Sequence, residues 1–216
     1  MLLALDLDGT LIDARARQVG VARHVLAQLG AQPLREGRFW ELKRSGASTE
    51  SALVRLGYPA SVAGEGARLW RSEIEAESWL AQDQALPGVE QALHELQAEG
   101  VSTAVLTARG RPKGALSSLR GAGLAELIGE LIVVNPERAS REKASWLAAR
   151  SPAAFIGDTE SDGAAAASAG VAFLAVAGGQ RDGAYLGARG YRVLGTFAQA
   201  VAEFVGVARS APTVGG

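Results

Sequence analysis

Six short runs along the chain are largely apolar: Leu2–Leu7, Val101–Leu106, Leu131–Val134, Ala153–Ile156, Val171–Val176 and Tyr191–Leu194. Each is rich in Val, Ile, Leu or Ala and is bounded by turn residues or polar stretches, as a buried strand would be. Helical spacing fills the intervals, over Val89–Glu99, Pro112–Leu119, Arg141–Ala149 and Ser161–Ala169. Strands without in/out alternation, separated by helices, predict an α/β fold: a Rossmann-like parallel sheet with helices on both faces.

The alternation has one long interruption. Between the first run and Val101 the pattern offers no strand, only helices. One spans residues 14–29, with Val19, Val21, Val25, Leu26 and Leu29 to one side, and others fit Phe39–Arg44, Thr49–Leu56 and Val62–Leu80. Gly30, Pro33, Gly46, Gly57 and Pro59 separate them. Residues 14–85 therefore read as a small all-α domain inserted into a core made of residues 1–13 and 86–216. Trp40, Trp70 and Trp79 are expected to form its core. The tail Ser210–Gly216 is small and polar and is expected to fray.

Composition narrows the chemistry. In 216 residues, 22 Lys and Arg face 23 Asp and Glu, which argues against a nucleic-acid binder working through bulk positive charge. There is no cysteine, so disulfides, zinc–thiolate sites, iron–sulfur clusters and thiol nucleophiles are excluded. The two histidines, His24 and His94, fall on different helices, read as packing or surface residues, and cannot build a multi-histidine metal site. No window is long and apolar enough for a membrane span, and the N-terminus lacks a leader's pattern. The expected location is the cytoplasm, with residue 1 starting the mature chain. Oligomeric state is left open, with a monomer favoured.

Polar residues gather just past the strand ends: Asp6-Leu7-Asp8-Gly9-Thr10 after the first, Thr107 after the Val101 run, and Gly157-Asp158-Thr159-Glu160-Ser161-Asp162 after the Ala153 run. In a parallel sheet these ends share one edge, where ligands bind. Either Asp158 or Asp162 alone would read as a helix cap. Massed with Asp6 and Asp8, they would repel one another unless a cation balanced them, and Mg²⁺ is the natural choice for oxygen ligands and a phosphate.

The run Asp6-Leu7-Asp8-Gly9-Thr10-Leu11 resembles the first motif of the haloacid-dehalogenase-like phosphatases, Thr107 the second, and Gly157-Asp158-Thr159-Glu160-Ser161-Asp162 the fourth. Leu86-Pro87-Gly88-Val89 is similar to the usual lead-in to the second. The resemblance extends from Asp6 to about residue 180, and places the chain near a subgroup of phosphoglycolate phosphatases and β-phosphoglucomutases with a helical cap after the first motif. It implies that Asp6 is the nucleophile and Asp8 the general acid and base. Mg²⁺ would then lie on the carboxylates of Asp6 and Asp158 and the Asp8 carbonyl, with Asp162 holding its water or ligating it directly. Thr107 and the amides of Leu7 and Ala108 would take the phosphate. The third motif is a lysine: Lys143 is the choice, Lys113 its competitor and Arg141 a third.

In the cap, Lys43 and Arg44 fall at a helix–turn–helix junction where the specificity loop is expected, and could equally be a solvated turn. Arg109 and Arg111, just past Thr107, are candidates to reach the substrate. Gly178 and Gly179 read as a plain turn. The expected activity is Mg²⁺-dependent hydrolysis of a small phosphorylated substrate through an aspartyl-phosphate. A sugar-phosphate mutase of the β-phosphoglucomutase type is the alternative, although Gln18 stands where that mutase has a histidine. A phospho-accepting signalling module without turnover belongs to another class, and lacks both the insertion and this motif order.

Overall fold

The computed structural model describes residues 1–210, so the expected fraying from residue 211 onward lies outside the described residues. Six parallel strands form one sheet: β1 (Leu2–Leu5), β4 (Ser102–Thr107), β5 (Glu130–Val133), β6 (Ala154–Gly157), β7 (Phe173–Val176) and β8 (Val193–Leu194), in the order β5-β4-β1-β6-β7-β8. The chain steps outward from β1 through β4 to β5, then returns to the other side of β1 for β6. The central strand is thus the switch point, where the carboxyl ends of neighbouring strands open a crevice.

Two apolar layers sandwich the sheet, and side-chain alternation along the strands assigns residues to each. Leu3 and Leu5 of β1, Val105 of β4 and Ile156 of β6 join one cluster; Ala4, Leu106 and Phe155 join the other. The first layer is completed by α6 (Val89–Ala98), α7 (Pro112–Gly121) and α11 (Phe197–Ser210), the second by α8 (Ala139–Arg150) and α9 (Glu160–Ala169). Helix α11, which the sequence reading did not draw, buries Phe197, Ala200, Val201 and Phe204, an i, i+3, i+4, i+7 stripe. A short α10 (Gly183–Gly187) precedes β8.

Between β1 and β4 lies the helical cap: α1 (Arg15–Gln28), α2 (Glu36–Arg44), α3 (Thr49–Arg55), α4 (Ala60–Glu73) and α5 (Glu77–Leu80). It has its own apolar cluster, centred on Leu26, Phe39, Trp40, Leu53 and Ala63, with Trp70 packed against it. Trp79 instead sits edge-on to His24, with ring centroids 5.7 Å apart. Two details depart from the sequence reading. A two-residue antiparallel ribbon, β2 (Ile12–Asp13) with β3 (Gln84–Ala85), ties the entry of the cap to its exit; strands this short carry no periodicity to detect. The single helix expected over Val62–Leu80 is broken between Glu73 and Glu77, and in the break Glu75 turns to the core and accepts a hydrogen bond from the Gly110 amide at 2.6 Å. A tertiary contact here overrides local helix propensity. No described helix is long and apolar enough to cross a membrane.

Candidate active site

The acidic residues converge because the neighbouring strands β1 and β6 end at one edge. Beyond β1 the Asp6 amide donates to the Ile156 carbonyl at 2.8 Å, fixing Asp6 beside the end of β6. Asp158 follows β6 directly. Asp162 sits in the first turn of α9, where its Oδ2 accepts from the Thr159 amide at 3.2 Å and from the Thr159 hydroxyl at 2.6 Å, a reciprocal capping arrangement. Ligand oxygens of Asp6, Asp158 and Asp162 lie within 4.8 Å of one another, and all three residues are buried.

Lys143, on α8, reaches into this cluster. Its Nζ donates to Asp6 Oδ1 and to Asp162 Oδ1, both at 2.6 Å, and is buried. Lys113, by contrast, is a surface residue whose closest carboxylate is the exposed Glu77 at 3.5 Å, and Arg141 is exposed. One ammonium against three carboxylates leaves two negative charges in excess. The electrostatics follow from that imbalance. Burial opposes the Lys143 ammonium, but Asp162 and Asp6 outweigh it and hold the group above the ordinary lysine range. Burial pushes Asp6 up to about 7, since Lys143 pulls it down but Asp162 and Asp8 push it back up. Asp158 stands well above the usual carboxylate range, from burial and then from repulsion by Asp6 and Asp162.

Asp158 is held where the backbone approaches closely. Its Oδ2 accepts from the Gln180 amide. A Cβ at Gly179 would fall 2.1 Å from that oxygen, and one at Gly9, whose φ is +87°, would fall 2.0 Å from it. Only glycine fits at either place. Gly179 is therefore more than the plain turn its sequence suggests. The other oxygen, Asp158 Oδ1, is buried with no hydrogen-bond partner. A buried carboxylate oxygen without a donor is costly, and here it faces a cluster already too negative. The donor set, oxygen only and net anionic, fits a hard divalent cation.

Asp8 is placed differently. It lines an open cleft of about 630 Å³ together with Arg17, Gln18, Trp70, Arg109 and Gln180, whereas Asp6, Asp158, Asp162 and Lys143 do not line it. Two guanidiniums grip the Asp8 carboxylate. Arg109 donates through Nε at 2.8 Å and Nη2 at 2.7 Å, and Arg17, from cap helix α1, also pairs with it. Both arginines continue to Asp83, Arg17 through Nε at 2.8 Å and Arg109 through Nη2 at 3.1 Å. Ser118 completes the group, donating to Asp83 at 2.7 Å and accepting from Arg109 at 2.8 Å. Burial would raise Asp8, but Arg109 and then Arg17 overcome it and hold the carboxyl well below its usual range.

Thr107 is buried at the end of β4, and among the described residues neither the Leu7 nor the Ala108 amide donates to a backbone carbonyl. Lys43 and Arg44 do not line the cleft. The buried Lys43 ammonium donates to Thr49 at 3.1 Å and lies 5.1 Å from the Trp70 ring centroid. Arg44 donates to the Ala177 carbonyl at 2.6 Å, and the backbone carbonyls of Lys43 and Arg44 accept from Arg181 and from the Asp182 amide, at 3.1 Å each. That turn docks cap onto core. His24 and His94 are also absent from the cleft lining. Arg17, Asp83, Ser118, Glu75 and Gln180 are the residues that sequence reasoning missed.

The fold has counterparts among solved structures. A haloacid dehalogenase-like family hydrolase from Streptococcus pneumoniae superposes with a TM-score of 0.76 at 20% identity, covering 94% of this chain and 97% of that one. A predicted phosphoglycolate phosphatase from Haemophilus somnus superposes at 0.71 and 19% identity, over 94% and 97%. Protein tyrosine kinase A from Mycobacterium tuberculosis superposes at 0.65 and 26% identity, over 84% and 86%. No curated protein sequence matches this chain. The family model for haloacid dehalogenase-like hydrolases matches residues 1–170, and with the sheet order and the acidic edge already established, the chain belongs to that family.

Proposed function

We propose that this hydrolase cleaves a phosphate monoester of a small metabolite, with Asp6 as nucleophile and Mg²⁺ as cofactor. The observation that carries the reading is the buried, doubly uncompensated acidic centre with an orphaned oxygen on Asp158. A structural ion-pair network would be neutral. The carboxylates of Asp6 and Asp158 and the carbonyl of Asp8 would hold the ion. When bound, it supplies Lewis-acid neutralisation of the phosphoryl oxygens.

The side chains divide the remaining work. Lys143 fixes the Asp6 carboxylate through Oδ1, leaving the second oxygen to attack phosphorus as the bond to the leaving alcohol breaks. Asp162 orients Lys143. Thr107 and the amides of Leu7 and Ala108 are the donors for the transferred group. Asp8 gives a proton to the departing oxygen and takes one from the water that later hydrolyses the aspartyl-phosphate. Held by two arginines it is a carboxylate, suited to the second of these tasks. For the first, one guanidinium must let go, and Arg17 is carried by the cap. The fold alone does not decide between hydrolysis and transfer, as the kinase name of one neighbour illustrates.

The test is hydrolysis of para-nitrophenyl phosphate with Mg²⁺, with EDTA, and by Asp6→Asn. Turnover that requires Mg²⁺ and falls at least about a thousandfold in the variant is expected. Near-wild-type turnover by Asp6→Asn would overturn the assignment.

A further inference from the structure

The cleft beside Asp8 is lined by four arginines, and they are not equivalent. Arg17 and Arg109 are saturated by Asp8, Asp83 and Ser118. Arg71, near the end of cap helix α4, and Arg111, on the core segment before α7, are exposed and line the same cleft. Among the described residues neither guanidinium has an ion-pair or hydrogen-bond partner. The two glutamates on the lining pair with neither: Glu75 accepts from the Gly110 amide through Oε1 while its Oε2 is buried without a partner, and Glu137 is an exposed residue of the rim. One guanidinium from the cap and one from the core on the same cleft suit a carboxylate or phosphate.

A second observation points the same way. Gln18 lines the cleft, is only 4% exposed, and its Oε1 is buried with no hydrogen-bond partner. Its backbone carbonyl is taken by the Trp70 indole N–H at 3.0 Å, which holds Trp70 beside it as a wall. A buried amide oxygen without a donor in the protein asks for one from a ligand.

We infer that the leaving-group side of this cleft recognises an alcohol carrying a second anionic group, bound by Arg71 and Arg111, and a hydroxyl that donates to Gln18 Oε1. The inference rests on reading the Asp6 centre as a phosphatase site. It narrows the substrate to phosphorylated hydroxy-acids or bisphosphates and disfavours neutral alcohols.

Calorimetric binding of four esters to Asp6→Asn in Mg²⁺ tests this without turnover: glycerol phosphate, phosphoglycerate, phospholactate and propanediol bisphosphate. Phosphoglycerate or the bisphosphate is expected to bind at least about tenfold more tightly than glycerol phosphate, from a charge-assisted contact. Phospholactate against the bisphosphate, neither with a free hydroxyl, tells carboxylate from phosphate. The double variant Arg71→Gln/Arg111→Gln, at exposed positions, should erase the preference. Phosphoglycerate should exceed phospholactate, which lacks the hydroxyl, by about threefold, and Gln18→Leu should level the pair. Equal affinity for all four esters, or a preference that survives the double arginine variant, overturns the inference. Should the aryl phosphate assay fail while the binding preference holds, the phosphatase reading falls and the anion site stands.

Discussion

Two buried ionic clusters meet at Asp6-Leu7-Asp8, and they differ in one respect that decides what each can do. Around Asp8 and Asp83, two carboxylates meet two guanidiniums and the Ser118 hydroxyl, and the charges cancel. Around Asp6, three carboxylates meet one ammonium, and one carboxylate oxygen has no donor at all. The balanced cluster joins elements far apart in the chain: α1 of the cap, the residue before β3, the loop after β4, and α7. It works as a joint. The unbalanced cluster joins the ends of β1 and β6 to α8 and α9, and it is built to take up positive charge. Burial alone therefore does not single out the candidate centre; burial with an uncompensated sign does.

The sharpest way to break this comparison is to remove one cation from each cluster. Arg109→Met leaves Asp83, fully buried, facing a single arginine, and is expected to cost about 3–5 kcal/mol in urea unfolding. Added Mg²⁺ should restore none of it. Lys143→Met should abolish turnover, and its lost stability should be partly restored by Mg²⁺, because a cation can substitute where carboxylates are in excess. If Mg²⁺ rescues both variants equally, the distinction is wrong.

A smaller effect comes from pH. Asp6 rises from 3.8 to about 7 on folding without metal, so the folded state binds its proton more tightly than the unfolded state. Its contribution to stability is full below about pH 4 and is lost as the pH climbs through about 7. Urea midpoints of the metal-free protein should fall over that window relative to Asp6→Asn, and Mg²⁺ should raise the wild-type midpoint more at about pH 8 than at about pH 5. A flat difference between the two proteins would contradict this.

Lys43 tests the docking of cap onto core. Burial, with Arg181 adding to it, lowers its ammonium from 10.5 to about 8 against the pull of Glu160. The folded chain thus releases this proton more readily than the unfolded chain, and stability should increase as the pH rises from about 8 toward about 10. Lys43→Met should remove that increase while leaving the Asp6 window in place. Smallest of all, Glu75→Gln weakens one charge-assisted bond to the Gly110 amide, and should cost about 1 kcal/mol in the same unfolding measurement.

How much of this could be read in advance depends on whether the signal was local. The sheet and the acidic edge were legible because each strand is a short apolar run whose polar residues follow within a few positions. Lys143 could be singled out by its helix and its place before Asp158. The balanced cluster was invisible: Arg17 and Asp83 are 66 positions apart, and Arg17, Asp83 and Ser118 each look like surface residues on their own elements. Glu75 was hidden for the same reason, since nothing in its neighbourhood announces that the helix breaks there to reach Gly110. Lys43 and Arg44 were correctly seen at a helix–turn–helix junction, but only packing reveals that this junction is turned onto Ala177–Asp182. Helix α11 was readable from Phe197, Ala200, Val201 and Phe204; its amphipathic stripe simply follows the last strand without a motif to draw attention to it.

The central claim is that the Asp6 cluster is short of a divalent cation. Calorimetric titration of the purified chain with Mg²⁺, beside Asp158→Asn, tests it most directly. The account predicts a single saturable site in the wild type, weakened at least about tenfold in the variant, which keeps the shape of Asp158 but loses its charge. No saturable binding, or equal binding by both proteins, would contradict it.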